Sequence, residues 1–376
     1  MEREKYIAKT LKGLEGVLKQ ELFDIGIEKC RVTSRAIEFH ATKEQMYRAN
    51  YELRTAINIL KPIYSFKATT EQEVYDRVKE FDWTALFGLD KTFAISHTVN
   101  SSHFTHSQYI ALKTKDAIVD QFRDKFNARP NVDSKEPDIK FNLFIREEKC
   151  SILLDTSGDS LFKRGYREQV NKAPLNEVLA AGLIQLSGWD KNSPLIDPMC
   201  GSGTIAIEAA MMLCNIPAGY YRMNYGFFTW DDFDVSLWKK VRNEAKEKIN
   251  TNKGIKIIAS DLAMRSIRAA HHNLDNTPEI KRIIRFKVED CLDINPGYEE
   301  KGTIIINPPY GERIYKDEVA ILYERFGNHV QEEFKGYKLC ILSSNEEALN
   351  LIPLKKVNEF ELLNGSIECK YRIFEN

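Results

Sequence analysis

An asparagine, two prolines and a tyrosine, Asn307-Pro308-Pro309-Tyr310, close the apolar run TIII at residues 303 to 306. Neither proline has a backbone N–H, each holds φ at about −65°, and the residue before a proline is pushed away from helical geometry. The linkage is therefore stiff, and it points the Asn307 amide and a backbone carbonyl in fixed directions. Both groups accept hydrogen bonds, and together they match the two hydrogens of one exocyclic amino group. An aromatic amine is a weak nucleophile because its lone pair is delocalised into the ring. Holding both N–H bonds favours a pyramidal nitrogen with its lone pair aimed at an electrophile, a gain of positioning and electrostatics. Tyr310 would add a stacking face, worth roughly 1 to 3 kcal/mol per base in single-stranded nucleic-acid binding. A rigid strand-end turn would explain Asn-Pro-Pro alone, so the reading depends on what shares its sheet.

A second turn, Asp197-Pro-Met-Cys-Gly-Ser-Gly-Thr204, lies between a strand-like and a helix-like run. Glycines there let the backbone pass close to a ligand. No third glycine stands at dinucleotide spacing and no Gly-Lys-[Ser/Thr] follows, so both the NAD fingerprint and the P-loop fit poorly. An acid ahead of the glycines suits a cation, and S-adenosylmethionine carries a sulfonium and an amino group. The turn residues expected on that cofactor are Asp197, Cys200, Gly201, Ser202, Gly203 and Thr204. Asp261 ends the next strand, where a carboxylate can accept both ribose hydroxyls. Asp290 ends the third, placed for an adenine amino group, with Cys291 beside it. The interval from the turn to Asp261 far exceeds the usual spacing of about 20 residues, because the aromatic-rich NIPAGYYRMNYGFFTWDDFD intervenes. Asp261 and Asp290, each taken alone, are more often helix N-caps. Their order on successive strands is what argues for a ligand.

The elements that must position these residues follow from pattern. SPLIDPMC, IKIIASD, IRFKVED, TIIIN and KLCILSS are short Val/Ile-rich runs alternating with helical stretches, which predicts a parallel sheet covered on both faces. The end, KKVNEFELLNGSIECKYRIFEN, has two strand-like runs around Asn364-Gly365 and predicts a hairpin entering the sheet antiparallel. The expected fold is α/β, a Rossmann-like sheet finished by a C-terminal hairpin, an ending that favours a methyltransferase over a dehydrogenase. Before it come KYIAKT, a helix LEGVLKQELFDIG and KCRVTSRAIEFHA, then a helix-like QMYRANYELRTAINIL that Lys61-Pro62 is expected to interrupt. A further α+β segment ends near residue 157. The expected divisions are 1–64, 65–157 and 158–376.

DPMCGSGTIAIEAA with NPPYGER resembles the amino-methylating class I S-adenosylmethionine-dependent methyltransferases, specifically the THUMP-containing, RlmL-like RNA guanine-N2 methyltransferases of large-subunit rRNA. LFKRGYREQVNKAPLNEVLAAGLIQLSGW resembles the family segment that enters the methyltransferase domain and helps to close the cofactor site. The resemblance implies a ferredoxin-like first domain, a THUMP RNA-binding domain over residues 65–157, and one methyltransferase domain. It implies cofactor contacts from Asp197, Gly201, Gly203, Thr204, Asp261 and Asp290. Asn307, Pro308 and Tyr310 would hold the target base. The expected activity is methylation of a guanine N2 in 23S rRNA. A tRNA guanine, a DNA amine, or a non-catalytic RNA-binding assembly factor are the alternatives.

Bulk charge gives no help to an RNA partner, since 54 Lys and Arg against 55 Asp and Glu leave −1. A local patch must meet the polyanion. Lys163, Arg164, Arg167 and Lys172 suit phosphate contact, or equally a solvated linker face, and Arg313 either meets a phosphate or pairs with Glu312. Tyr220, Tyr221, Phe227, Phe228 and Trp230 either stack an extruded base or pack over the sheet. Seven scattered cysteines show no C-x-x-C and no zinc spacing, and His97, His103 and His106 lack Cys partners, so no metal is expected. No apolar run nears the roughly 20 residues that span a bilayer, and MEREKYIAKTLKGLEG lacks a secretory core. A cytoplasmic protein is expected.

Overall fold

A computed structural model describes residues 2–168, 174–254, 256–295, 297, 301–310 and 316–376, the side chains of 316 and 317 aside. The N-terminal part contributes β1 (Glu4–Lys9), α1 (Glu15–Asp24), β2 (Cys30–Thr33), β3 (Ala36–Ala41), α2 (Lys43–Glu52), β4 (Asn58–Lys67), α3 (Glu71–Glu80), β5 (Phe93–Asn100), α4 (Ser107–Phe126), β6 (Ile139–Arg146) and β7 (Lys149–Asp155). These strands form one seven-stranded sheet in the order β2-β3-β1-β4-β7-β6-β5. Its middle strand is shared: residues 58–60 of β4 pair with β1, and residues 60–67 pair with β7. The division expected near residue 64 falls inside that strand.

The interrupted helix expected around Lys61-Pro62 is corrected. Helix α2 ends at Glu52, and Lys61-Pro62 lies within β4. Thr42 starts α2 with a reciprocal capping box to Gln45, and Leu53 already has extended geometry. Pro62 stands at the register shift between Pro62 and Tyr64, where a missing N–H is tolerated in a strand.

The C-terminal part follows the expected alternation: α5 (Glu177–Leu186), β8 (Leu195–Asp197), α6 (Thr204–Leu213), α7 (Val235–Glu247), β9 (Ile257–Asp261), α8 (Met264–Asp275), β10 (Ile284–Val288), β11 (Thr303–Ile306), α9 (Lys316–Glu333), β12 (Lys338–Ser343), α10 (Glu346–Asn350), β13 (Lys355–Asn364) and β14 (Ile367–Glu375). The sheet order is β10-β9-β8-β11-β12-β14-β13. β8 to β12 pair in parallel, and β14 runs antiparallel to both β12 and β13. The chain moves outward from β8 through β9 to β10, then returns to the other side of β8 with β11. That reversal makes a crevice at the carboxyl ends of β8 and β11, where open α/β sheets take ligands.

The aromatic insertion between α6 and β9 divides: Tyr220 and Tyr221 pack against the core of this sheet, and the rest turns to the N-terminal part. Tyr225, Phe227 and Trp238 join the core formed by Tyr6, Phe39 and Tyr47 of the N-terminal part. The Tyr47 and Phe227 rings lie 4.5 Å apart, and Trp230 packs against the core beneath α4 as well. Ion pairs between α2 and α7, Arg48 with Glu244 and Lys240 with Glu44, cross the same seam. Of the two readings of these aromatics, Phe227 fits neither: it is fully buried, but against the N-terminal domain.

Candidate active site

The turn after β8 is pinned from below. Cys200 N–H donates to the Ser260 carbonyl at 2.8 Å, and Gly203 N–H to the Cys200 carbonyl at 2.8 Å. Gly203 caps α6 with φ at 81°, and a Cβ there would stand 2.8 Å from Phe286 and 3.1 Å from Ala270. At Gly201 a Cβ would meet nothing within 4 Å. One glycine thus allows close packing behind the turn, and the other leaves open space in front of it. Asp261 bridges β9 to this turn: its Oδ2 accepts Gly201 N–H at 3.0 Å and its Oδ1 accepts Ala263 N–H at 2.8 Å.

Asp197 is fully buried, and neither carboxylate oxygen has a partner in full hydrogen-bond geometry, although Met199 N–H approaches. Burial first, then the nearby Asp261 charge, push its carboxyl well above the usual range. An unpaired buried acid is costly, and a cation set against it would remove that cost. Asp290 accepts Leu292 N–H at 3.0 Å through Oδ1. Beside it, burial and then Asp290 push the Cys291 thiol up to about 12. Burial likewise holds Cys200 well above its usual value. Both therefore stay in thiol form, without nucleophilic character.

The register Ile304 with Ile196 sets the second turn beside the first. Ile305 is then level with Asp197, and Asn307 projects two residues, about 7 Å, further along the strand direction. Pro308 is buried. Tyr323 supports the turn from α9: its hydroxyl lies 2.9 Å from Ser343 Oγ at the end of β12 and 3.4 Å from the Pro309 carbonyl. The Tyr310 hydroxyl donates to Asn307 Oδ1 and accepts from Asn364 Nδ2 at 3.2 Å. Burial holds that hydroxyl above the usual phenol range. So the amide acceptor is present at the strand end, already engaged by a proton donor, and the ring packs against the main core.

Residues 164–373 match the RMKL-like methyltransferase domain family. The chain belongs to that family. Residues 68–155 match the THUMP domain and residues 5–60 the RlmL ferredoxin-like domain. Among solved structures, SMU.472, a methyltransferase complexed with SAH, is 29% identical with a TM-score of 0.90, covering 100% of this chain and 99% of its own. A methylase from Clostridium difficile 630 is 30% identical, TM-score 0.90, with 100% and 98% covered. A protein from Listeria monocytogenes named as an N6-adenine-specific DNA methylase is 27% identical, TM-score 0.88, with 100% and 96% covered. TrmN from Thermus thermophilus shares the fold at 18% identity and a TM-score of 0.72. The cofactor is S-adenosylmethionine, and the residues fit it: an unpaired buried carboxylate for a cation, open space over Gly201, and free acceptor capacity on Asp261 and Asp290.

This RMKL-like methyltransferase corrects the basic cluster. Arg164 is 1% exposed. Its Nε pairs with Glu208 on α6 at 3.3 Å, and its other nitrogens donate to the carbonyls of Leu161 and Arg54. Arg167 donates to Glu177 at 2.7 Å, to Thr204 Oγ1 at 2.8 Å and to Ser202 Oγ at 3.4 Å. Both arginines are spent inside the protein, so neither presents its guanidinium to a phosphate in this conformation. Arg167 instead braces the cofactor turn. Lys163 stays exposed, paired with Asp159 at 3.2 Å. Lys172, Glu312 and Arg313 lie outside the described residues. The neglected signal was Glu208 in the otherwise apolar TIAIEAAMML: a carboxylate on a helix buried all round needs a buried cation. Tyr323 and Asn364 had no signal of their own, because their contacts join segments distant in sequence. Among the described residues no group of three or more His, Cys, Asp or Glu could hold a metal ion, and no helix is long and apolar enough to cross a membrane.

Proposed function

We propose that the protein methylates the exocyclic N2 amine of a guanine in 23S ribosomal RNA. The observation that carries this reading is Asn307 Oδ1, an amide acceptor fixed on a proline-stiffened strand end beside the cofactor turn. The THUMP match supports an RNA partner, and the RlmL ferredoxin-like match supports the large-subunit rRNA as its source. When bound, S-adenosylmethionine supplies a methyl group on a positively charged sulfur. Asp197 would face one of the cofactor's cationic groups, while Asp261 and Asp290 would accept from the rest of it. Asn307 and the adjoining backbone carbonyl accept both hydrogens of the guanine amine and orient its lone pair. With the methyl group supplied from that sulfur, the guanine nitrogen would be left acidic and would lose one proton to solvent. No strong base is needed beforehand. The Tyr310 hydroxyl occupies the Asn307 acceptor that the amine requires, so base entry displaces that hydrogen bond.

The test is mass spectrometry of modified nucleosides in separated rRNA and tRNA from a deletion strain. One N2-methylguanosine is lost from 23S rRNA and returns with the wild-type gene. Asn307→Ala binds S-adenosylmethionine normally but transfers methyl at least 100-fold more slowly, the scale of losing one preorganised polar contact. A deletion strain with every N2-methylguanosine intact overturns the proposal; loss from tRNA alone overturns its choice of RNA.

A further inference from the structure

Helix α6 runs ten residues, about 15 Å, from the cofactor turn to its far end. There the aromatic insertion, α2 and α7 enclose a second cleft of about 420 Å3, a volume within the range of about 300 to 1,000 Å3 that ligand sites occupy. It shares no lining residue with the cofactor turn or with Asn307.

Its floor is Tyr51 and Trp238, 2% and 7% exposed. Tyr220, Phe228 and Phe233 line the walls and are only partly buried. Phe228 and Phe233 pack against the core around Phe227 and Trp238 and still keep part of their surface open. Two cations, Lys239 and Arg242, also line the cleft, and both are exposed. Arg242 reaches the Tyr51 hydroxyl, and neither cation makes an ion pair among the described residues. A third, Arg222, is consumed by the carbonyls of Ser157, Asp159, Ser160, Lys163 and Asn224. No carboxylate lines the cleft. Of the acids nearby, Glu52 pairs with Arg48 at 2.8 Å, Glu279 accepts from Tyr221 at 2.6 Å, and Asp234 caps α7.

Accessible aromatic faces next to uncompensated cations match a planar base joined to a phosphate. We propose that this cleft holds one unstacked nucleotide of a single-stranded RNA segment, its base among Tyr220, Phe228 and Phe233 and its phosphate on Lys239 and Arg242. The occupant rests on the RNA reading above; the identity of the methylated atom does not enter. The substrate is then gripped at a point remote from the reacting amine, so the cleft adds affinity without adding rate.

The experiment is cross-linking of a 5′-phosphorylated, 4-thiouridine-containing single-stranded RNA hexamer to the full chain, with adducts mapped by mass spectrometry. Adducts are expected between residues 220 and 242. Lys239→Ala/Arg242→Ala reduces them at least five-fold and flattens the salt dependence of hexamer binding. Phe228→Leu reduces them similarly without changing that salt dependence, and both variants keep wild-type cofactor affinity. In methyl-transfer assays both raise KM and leave kcat unchanged. Adducts confined to other regions, or unchanged yields in the folded double-alanine variant, overturn the proposal. So does competition by free GMP at the hexamer's own affinity, which marks a mononucleotide site instead. If adducts form as expected but no guanine is methylated, the activity reading falls while the cleft assignment stands.

Discussion

Asp197 does its work by being uncomfortable. With no cofactor against it, burial holds its proton on, and the native state binds that proton more tightly than the unfolded chain. Its contribution to stability is therefore full below the ordinary carboxylate range and is lost as pH rises through its raised value. A bound cation reverses the preference, so cofactor binding expels the proton and tightens as pH rises. Calorimetry in buffers of different ionisation enthalpy will register proton release on S-adenosylmethionine binding. In Asp197→Asn that release disappears, cofactor affinity drops at least ten-fold, and the cofactor-free protein becomes less sensitive to alkaline pH. Equal proton release in the variant would assign the titration elsewhere. Tyr310 shows the same economy: its hydroxyl donates to Asn307 Oδ1 and keeps that acceptor satisfied.

At the scale of elements, the segment from Leu161 to Glu168 is a strap whose side chains reach α5, α6 and α8. Arg164 holds Glu208, Arg167 holds Glu177 and Thr204, and Glu168 meets His272 at 3.0 Å. Removing one member of a buried pair strands the other charge, at a cost of about 3 to 5 kcal/mol, whereas removing both is far milder. Urea unfolding should show Arg164→Ala destabilised by that amount and Arg164→Met/Glu208→Leu by less than half of it. Simple additivity would mean that the pair is not coupled. The parallel strands around this strap were legible in the sequence because buried strands are continuous apolar runs, and the final hairpin because Asn364-Gly365 marks its turn. The strap was not legible. Its four charged residues look like a solvated basic linker until α5 and α6 deliver Glu177 and Glu208 from elsewhere in the chain. Pro62 misled for a related reason: local propensity reported a broken helix, while pairing with β7 made it a strand.

Over the whole molecule, the insertion that lengthens the interval between the cofactor turn and Asp261 is the mortar between the halves. Tyr225, Phe227 and Trp238 complete a core begun by β1, β3 and α2, and Glu21 of α1 accepts from Gln185 of α5 at 2.6 Å. A fragment beginning at Pro174 would expose that aromatic face and lose Arg164 from beside Glu208. It should be recovered mainly as aggregate, and co-expression with residues 1–173 should return it to solution. A soluble fragment with the cooperative unfolding of the full chain would show that the halves fold independently.

The shared strand β4 has its own consequence. Two units joined by a flexible linker sample many separations, but two units that divide one strand between them have a single one. The ferredoxin-like and THUMP segments are thus held at one fixed separation within a single continuous sheet, because residues 58–60 of β4 serve one and residues 60–67 the other.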